Sequence, residues 1–247
     1  LVCSYGIGYV NMRLDKFLAD MGAGTRSDIK KDIRKGKVTV GGETVKSADL
    51  QVDPESDVCY CGRKITYAVN EYYMVNKPAG VISASDDARQ STVIDLLPDE
   101  KRQDLFPVGR LDKDTEGLLI ITNDGALAHR LLSPKNHVDK VYYAKVSGIV
   151  TDTDIKCFAE GMRIGEDIMT LPAKLEVLGT SYERTSEVFV TIHEGKFHQI
   201  KKMFEVRGKE VLYLKRLSMG PLRLDDTLAP GEYRKLSDEE ISELRKW

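Results

Sequence analysis

Between residues 71 and 236 the chain returns six times to short runs of apolar and β-branched residues, at 72–75, 118–122, 141–146, 175–178, 188–192 and 211–214. Runs of this length bounded by polar and glycine-containing segments read as strands. Helical spacing falls between only some of them, at 93–97, 126–132, 154–160 and 198–206. A parallel, doubly wound sheet needs a helix after nearly every strand, and this order does not supply one. The pattern therefore predicts an α+β domain on a mixed, mainly antiparallel sheet flanked by helices. Ser237-Asp238-Glu239-Glu240 is a capping box that opens a final helix.

The N-terminal quarter is patterned differently. Leu14, Phe17, Leu18 and Met21 recur at helical spacing, and Ser27 is placed to cap a second helix through Lys35, with Ile29 and Ile33 on one face and Gly36 as its stop. Two alternating runs then flank Gly41-Gly42, a tight-hairpin signal, and a further strand is expected near 57–60. The resulting division is a small module at 12–60, a linker at 61–70 and a larger domain at 71–247.

Composition narrows the class only a little. Apolar residues make up 41% and charged residues 31% of 247, enough for a sizeable core. A net charge of −2 gives no bulk sign of a nucleic-acid partner, so the distribution of charge has to carry that question. Four cysteines, at 3, 59, 61 and 157, do not make a disulfide framework, and Cys59-x-Cys61 has neither the spacing nor the second pair of a zinc site. They read as reduced thiols, with one or both of the pair facing inward on a strand. No apolar run reaches the roughly 18 residues of a membrane span, and residues 1–11 lack a secretory pattern. Met12 has the look of a natural start, so residues 1–11 read as added or upstream sequence and the protein as cytoplasmic.

Charge is concentrated in two places. The first, Lys30-Lys31-Asp32-Ile33-Arg34-Lys35-Gly36-Lys37, sets five cations and one carboxylate on a helix whose apolar face is already used by Ile29 and Ile33. Cations forced towards solvent in this way can release counterions from phosphates. Arg13 to Leu18, Thr25-Arg26-Ser27 and residues 33–42 keep the order and spacing of the S4 RNA-binding domain, which this segment resembles over about 12–60. The resemblance implies that Arg13, Lys16, Arg26, Lys30, Lys31, Arg34 and Lys37 contact structured RNA.

The second is Gly109-Arg110-Leu111-Asp112-Lys113-Asp114-Thr115-Glu116-Gly117, a glycine-flanked polar loop that feeds the apolar run at 118–122. By residue type alone it is a turn with local salt bridges, or a pair of carboxylates fit for acid–base work. Together with Thr122-Asn123-Asp124-Gly125 it resembles the signature of the RsuA/RluA-type pseudouridine synthases. Four further segments fit that family in order: Asn76-Lys77-Pro78-Ala79-Gly80, Lys140-Val141-Tyr142, residues 194–203, and the terminal pair 214–220 with 228–233.

The resemblance implies that Asp112 is the catalytic carboxylate, Lys201 its cationic partner and Tyr142 the ring facing the base, with Arg110 entering the space left by an extruded uridine or holding phosphate. His198, Gln199, Lys202 and Arg216 join the expected RNA contacts, and Asp114 reads as loop structure. Isomerising uridine breaks the C1′–N1 bond and rejoins the uracil through C5, so the reading calls for no cofactor and no metal. His198-Gln199-Ile200-Lys201-Lys202-Met203-Phe204 and Thr170-Leu171-Pro172-Ala173 are closer to the form in small-subunit (16S) rRNA synthases than to Asn-Arg-Gln-Ile-Arg of the large-subunit (23S) enzymes. A monomer acting on 16S rRNA, free or in a partly assembled small-subunit particle, is the expectation. A non-catalytic S4-type ribosome-assembly protein and a uracil-releasing hydrolase are the rivals.

Overall fold

The computed structural model describes residues 11–98, 101–182 and 184–247. The expectation for residues 1–11 and for Cys3 falls, but for Asn11, outside that range. The chain divides into two compact units. One runs through Glu71 and takes in Leu97–Leu105; the other comprises Tyr72–Leu96 and Phe106–Trp247.

In the first unit, β1 (Met12–Arg13), α1 (Leu14–Asp20), α2 (Arg26–Arg34), β2 (Val38–Val40), β3 (Glu43–Thr44), β4 (Gln51–Val52), β5 (Val58–Tyr60) and β6 (Arg63–Ile65) follow in order. Leu14, Phe17 and Leu18 of α1 meet Ile29 and Ile33 of α2, and Val38, Val52 and Val58 close the core beneath them. The predicted hairpin is present. Gly41 and Gly42 sit at φ +60° and +83°, which glycine tolerates without a Cβ penalty, and β2 pairs antiparallel with β3.

Three expectations shift in this unit. The cap of α2 is Thr25, whose hydroxyl accepts from Asp28 N at 3.2 Å, so the helix opens one residue before Ser27. Residues expected to be linker contain β6, which pairs with β5 through a turn at Cys61-Gly62, both at positive φ. Cys59 is half-buried and Cys61 exposed, so neither thiol is buried. The stretch 97–105 belongs here because the buried Arg102 is used here: its backbone N–H donates to Glu71 Oε2, Nη1 to Ala68 O at 2.6 Å, and Nη2 pairs with Asp104 at 2.7 Å.

The second unit holds β7 (Tyr72–Lys77), β8 (Phe106–Pro107), β9 (Glu116–Thr122), α3 (Gly125–Leu132), β10 (Lys140–Ser147), α4 (Asp152–Glu160), β11 (Lys174–Thr180), β12 (Thr185–Ile192), α5 (Gln199–Val206), β13 (Val211–Met219), β14 (Leu222–Arg223), β15 (Tyr233–Lys235) and α6 (Asp238–Arg245). The strands form one sheet in the order β11-β12-β10-β13-β9-β7-β15, with β14 on β13 and β8 on β9. Its pairs are antiparallel except β13 with β9, so the mixed, mainly antiparallel sheet predicted from sequence is the one observed. Ser237 caps α6 in a capping box, as its sequence requires. The helix expected at 93–97 is only a turn, in which Thr92 N donates to Asp95 Oδ2 at 2.7 Å. Five residues ahead of Pro98 are too few to offset helix nucleation. Among the described residues no helix is long and apolar enough to cross a membrane.

The parallel β9–β13 contact fixes where the site forms. Gly117, at φ +100°, pairs with Arg216, and a Cβ there would stand 2.2 Å from Arg216 O and 2.8 Å from Arg216 N. Two backbones approach this closely only because position 117 has no side chain.

Candidate active site

The loop between β8 and β9 carries Asp112, and three side chains or amides from the end of β7 and the segment after it hold it. Lys77, fully buried, donates from Nζ to Thr115 O at 2.8 Å, Pro78 O at 3.0 Å and Lys113 O at 3.2 Å. Ser83 brackets Leu111: its hydroxyl donates to Leu111 O at 2.9 Å and accepts from Leu111 N at 3.0 Å. Gly80 N donates to Lys113 O, and Thr115 N closes a turn onto Asp112 O. Burial pulls the Lys77 ammonium down to about 8, against the pull of Asp114, Asp112 and Glu116 in the other direction. A loop with its carbonyls tied in this way presents Asp112 in one orientation.

Asp112 is about one-quarter exposed and faces α5. Its Oδ2 lies 3.1 Å from Lys201 Nζ and its Oδ1 3.5 Å from His198 Nε2. Lys201 is shared, since its Nζ also stands 2.6 Å from Asp114 Oδ1. Burial lowers the Lys201 ammonium, and the two carboxylates outweigh that and hold it above its ordinary value. The hydrogen bond from Lys201 holds Asp114 below the usual carboxylate range. Asp114, expected to be loop structure alone, is therefore also the second anchor of Lys201.

Tyr142 forms the wall beside Asp112. Period-two alternation on β10 puts Lys140, Tyr142, Ala144 and Val146 on its buried face, while Tyr143 turns to the opposite face against Phe189 and Tyr213. Opposite, the pairing of β10 with β13 steps from Val141–Ser218 to Tyr142–Arg216, skipping Leu217. Such a bulge re-aims a side chain, here bringing the Arg216 guanidinium to the same cleft. The cleft has a volume of about 540 Å³; Asp112, Tyr142, Lys140 and Arg216 line it, with exposed Arg110 at its edge. A smaller adjoining recess of about 70 Å³ shares Asp112, Tyr142 and Arg110, and adds Lys201, Ile192 and Leu214.

The turn ahead of α5 is fixed from inside. Buried Glu194 accepts from Leu171 N at 2.7 Å and from Gln199 Nε2 at 3.1 Å, and Gln199 Oε1 accepts from Lys196 N. Gln199, expected to meet RNA, is thus turned inward with its amide committed to the protein. His198, at φ +52°, and Lys202 stay accessible, and Phe197 stacks on His198 with ring centroids 3.8 Å apart.

In the first unit Arg13, Lys16, Arg26, Lys31, Arg34 and Lys37 are exposed and Lys30 is half-buried. Arg13 and Lys30 pair with Asp15, Lys31 with Asp28, Lys37 with Asp32 and Lys16 with Asp20. Arg26 and Arg34 have no ion pair among the described residues.

The segments containing Lys77 and Lys140 carry part of the family resemblance, which implies no role for either lysine. The signal available was a lysine at an inward position of an otherwise apolar strand. Ser83 carried no signal, because its part depends on where the 109–117 loop lies.

Comparison with known proteins gives the family. The family model described as RNA pseudouridylate synthase matches residues 71–206, and that of the S4 domain matches 12–58. An uncharacterized RNA pseudouridine synthase of Bacillus subtilis is 48% identical over 95% of this chain and 99% of its own length. Ribosomal small subunit pseudouridine synthase A of Escherichia coli is 40% identical over 94% of this chain and 100% of its own. A crystal structure of a pseudouridylate synthase superposes with a TM-score of 0.66 at 37% identity, covering 94% of this chain and 99% of that one.

Proposed function

This chain belongs to the RNA pseudouridylate synthase family, and we propose that it converts one uridine of 16S ribosomal RNA to pseudouridine at Asp112. The observation that carries the reading is the set Asp112, Lys201 and Tyr142 around one cleft, with Lys201 Nζ 3.1 Å from the Asp112 carboxylate. The small-subunit assignment rests on the relatives named above and on the His198–Phe204 segment. The first unit, as an S4 domain, grips the RNA, and the protein works as a monomer in the cytoplasm.

Each residue has a part in one balanced isomerisation. Asp112 faces C1′ with its negative charge as the C1′–N1 bond breaks and the sugar takes on oxocarbenium character. Lys201 Nζ, 3.1 Å from Asp112 Oδ2, holds that carboxylate in place through a charge-assisted contact. The uracil turns against the Tyr142 ring, stacking being worth roughly 1–3 kcal/mol per base. C5 then bonds to C1′, the C5 proton leaves to solvent, and N1, freed from C1′, takes up a proton from solvent. Arg110, exposed at the edge of the cleft, takes the gap left in the stack or holds phosphate. Extruding a base costs a few kcal/mol and least in a loop, which favours an unpaired uridine.

The test is release of tritium from RNA labelled at uracil C5. Wild type is expected to release tritium into water from 16S rRNA, and Asp112→Asn to release none. No release from any ribosomal RNA would refute the reading. Free uracil that still carries the tritium, with none in water, would make the enzyme a hydrolase.

A further inference from the structure

The floor of the cleft holds two cations that the isomerisation at Asp112 leaves without a task. Lys140 is 4% exposed and Arg216 2% exposed, and both line the cleft. Lys140 Nζ donates to Val138 O at 3.0 Å, and Arg216 Nε donates to Leu118 O at 2.7 Å. Arg216 Nη2 is buried with no hydrogen-bond partner in the protein. No carboxylate forms an ion pair with either among the described residues. Asp139, the acidic group acting on Lys140, is half exposed and stands 2.7 Å from His193 Nδ1. Burial first, and then the like charge of Arg216, pull the Lys140 ammonium down to about 8.

Burying a cation costs several kcal/mol, and burying two side by side without an acid costs more. Lys201, in the adjoining recess, has two carboxylates; these two have only carbonyls. An anionic ligand would complete the arrangement. Lys140 and Arg216 line the large part of the cleft and not the small recess, whereas Lys201, Ile192 and Leu214 line the recess and not the large part. Asp112 and Tyr142 stand on the boundary between them. A base reaching Asp112 from the recess leaves its backbone over the cation pair.

We propose that Lys140 and Arg216 form a buried phosphate subsite that seats a backbone phosphate flanking the extruded uridine. The inference rests on the RNA reading above, and it adds a substrate-binding function to a lysine and the geometry of one to an arginine. Seated there, the phosphate fixes the ribose so that C1′ faces Asp112. Bulge placement of Arg216 and strand alternation at Lys140 make the subsite rigid, unlike the solvent-facing cations of the first unit.

The test combines Lys140→Met with oligoribonucleotides in which one phosphate at a time becomes an uncharged methylphosphonate. The RNA spans the uridine that releases tritium, or the tightest-binding 16S fragment if none does, and affinity is read by filter binding with the full chain. For wild type, one linkage beside the uridine should weaken binding about tenfold or more when neutralised, the size of a charge-assisted contact. K140M should bind the all-phosphate RNA weaker by a similar factor and be indifferent to neutralisation at that linkage. K140M removes a buried charge and keeps the chain length, so it is expected to melt no lower than wild type; Lys140→Gln serves as the second variant. Equal losses at every linkage in wild type and both variants would overturn the proposal. So would intact affinity with a fall in kcat alone, which would assign the cations to the departing base. Absence of tritium release from wild type would count against pseudouridylation, while the binding cycle would still read the subsite.

Discussion

Replacing Gly117 by alanine tests the link between backbone geometry and the site. The new Cβ would stand 2.2 Å from Arg216 O, 2.8 Å from Arg216 N and 2.9 Å from Lys215 Cγ, at φ +100°. The first two contacts are backbone atoms of the neighbouring strand, so no side-chain rotation relieves them. Strain in this φ region costs about 1–3 kcal/mol and forced overpacking about 1–3 more, together roughly 2–6 kcal/mol. For a chain of this size the middle of that range, about 4 kcal/mol, corresponds to a fall in Tm of about 8–16 °C. Gly125→Ala is the control: it opens α3, has no neighbour within 4 Å of its Cβ position, and should be neutral or slightly stabilising. Calorimetry on both variants gives the comparison, following the larger unit's transition because a chain of two units need not melt in one step. If G117A melts within about 2 °C of G125A, the close approach of β9 and β13 is not the constraint argued here.

Lys201→Met should lower kcat by about tenfold or more, because Asp112 Oδ2 loses the cation that stands 3.1 Å from it and with it one charge-assisted contact; an unchanged kcat would separate Lys201 from Asp112 function. Asp154 is buried, which pushes its carboxyl up, but Thr151 N, Arg207 and Lys209 outweigh that and hold it near about 2. A carboxylate depressed from 3.8 contributes stability that is complete above about pH 4 and is lost as pH falls towards 2, here about 2 kcal/mol. Urea melts between pH 5 and 2 should show that loss in wild type, and Asp154→Asn should flatten it. Arg26→Gln and Arg34→Gln should each lower the slope of log affinity against log salt by about one if each meets a phosphate; an unchanged slope would take that residue out of the interface.

Much of this molecule is written in local pattern. The apolar runs and their failure to alternate with helices determine an α+β sheet, the Gly41-Gly42 turn determines a hairpin, and Ser237–Glu240 determines where α6 begins. Each is decided within a few residues, by strand alternation, by positive φ or by one capping hydroxyl. The motif segments likewise determine the family and mark Asp112, Tyr142 and Lys201. What they could not decide is which side chains share space. Gln199 reads as an RNA contact until Glu194, five residues away, turns it inward. Asp114 reads as a turn residue until Lys201, 87 positions on, stands against it. Ser83 reads as nothing until it brackets Leu111. Lys140 and Arg216 look like ordinary cations until strand alternation and a skipped Leu217 bury both in one cleft. Burial and long-range partners are properties of the packed sheet, and only the tertiary structure decides them.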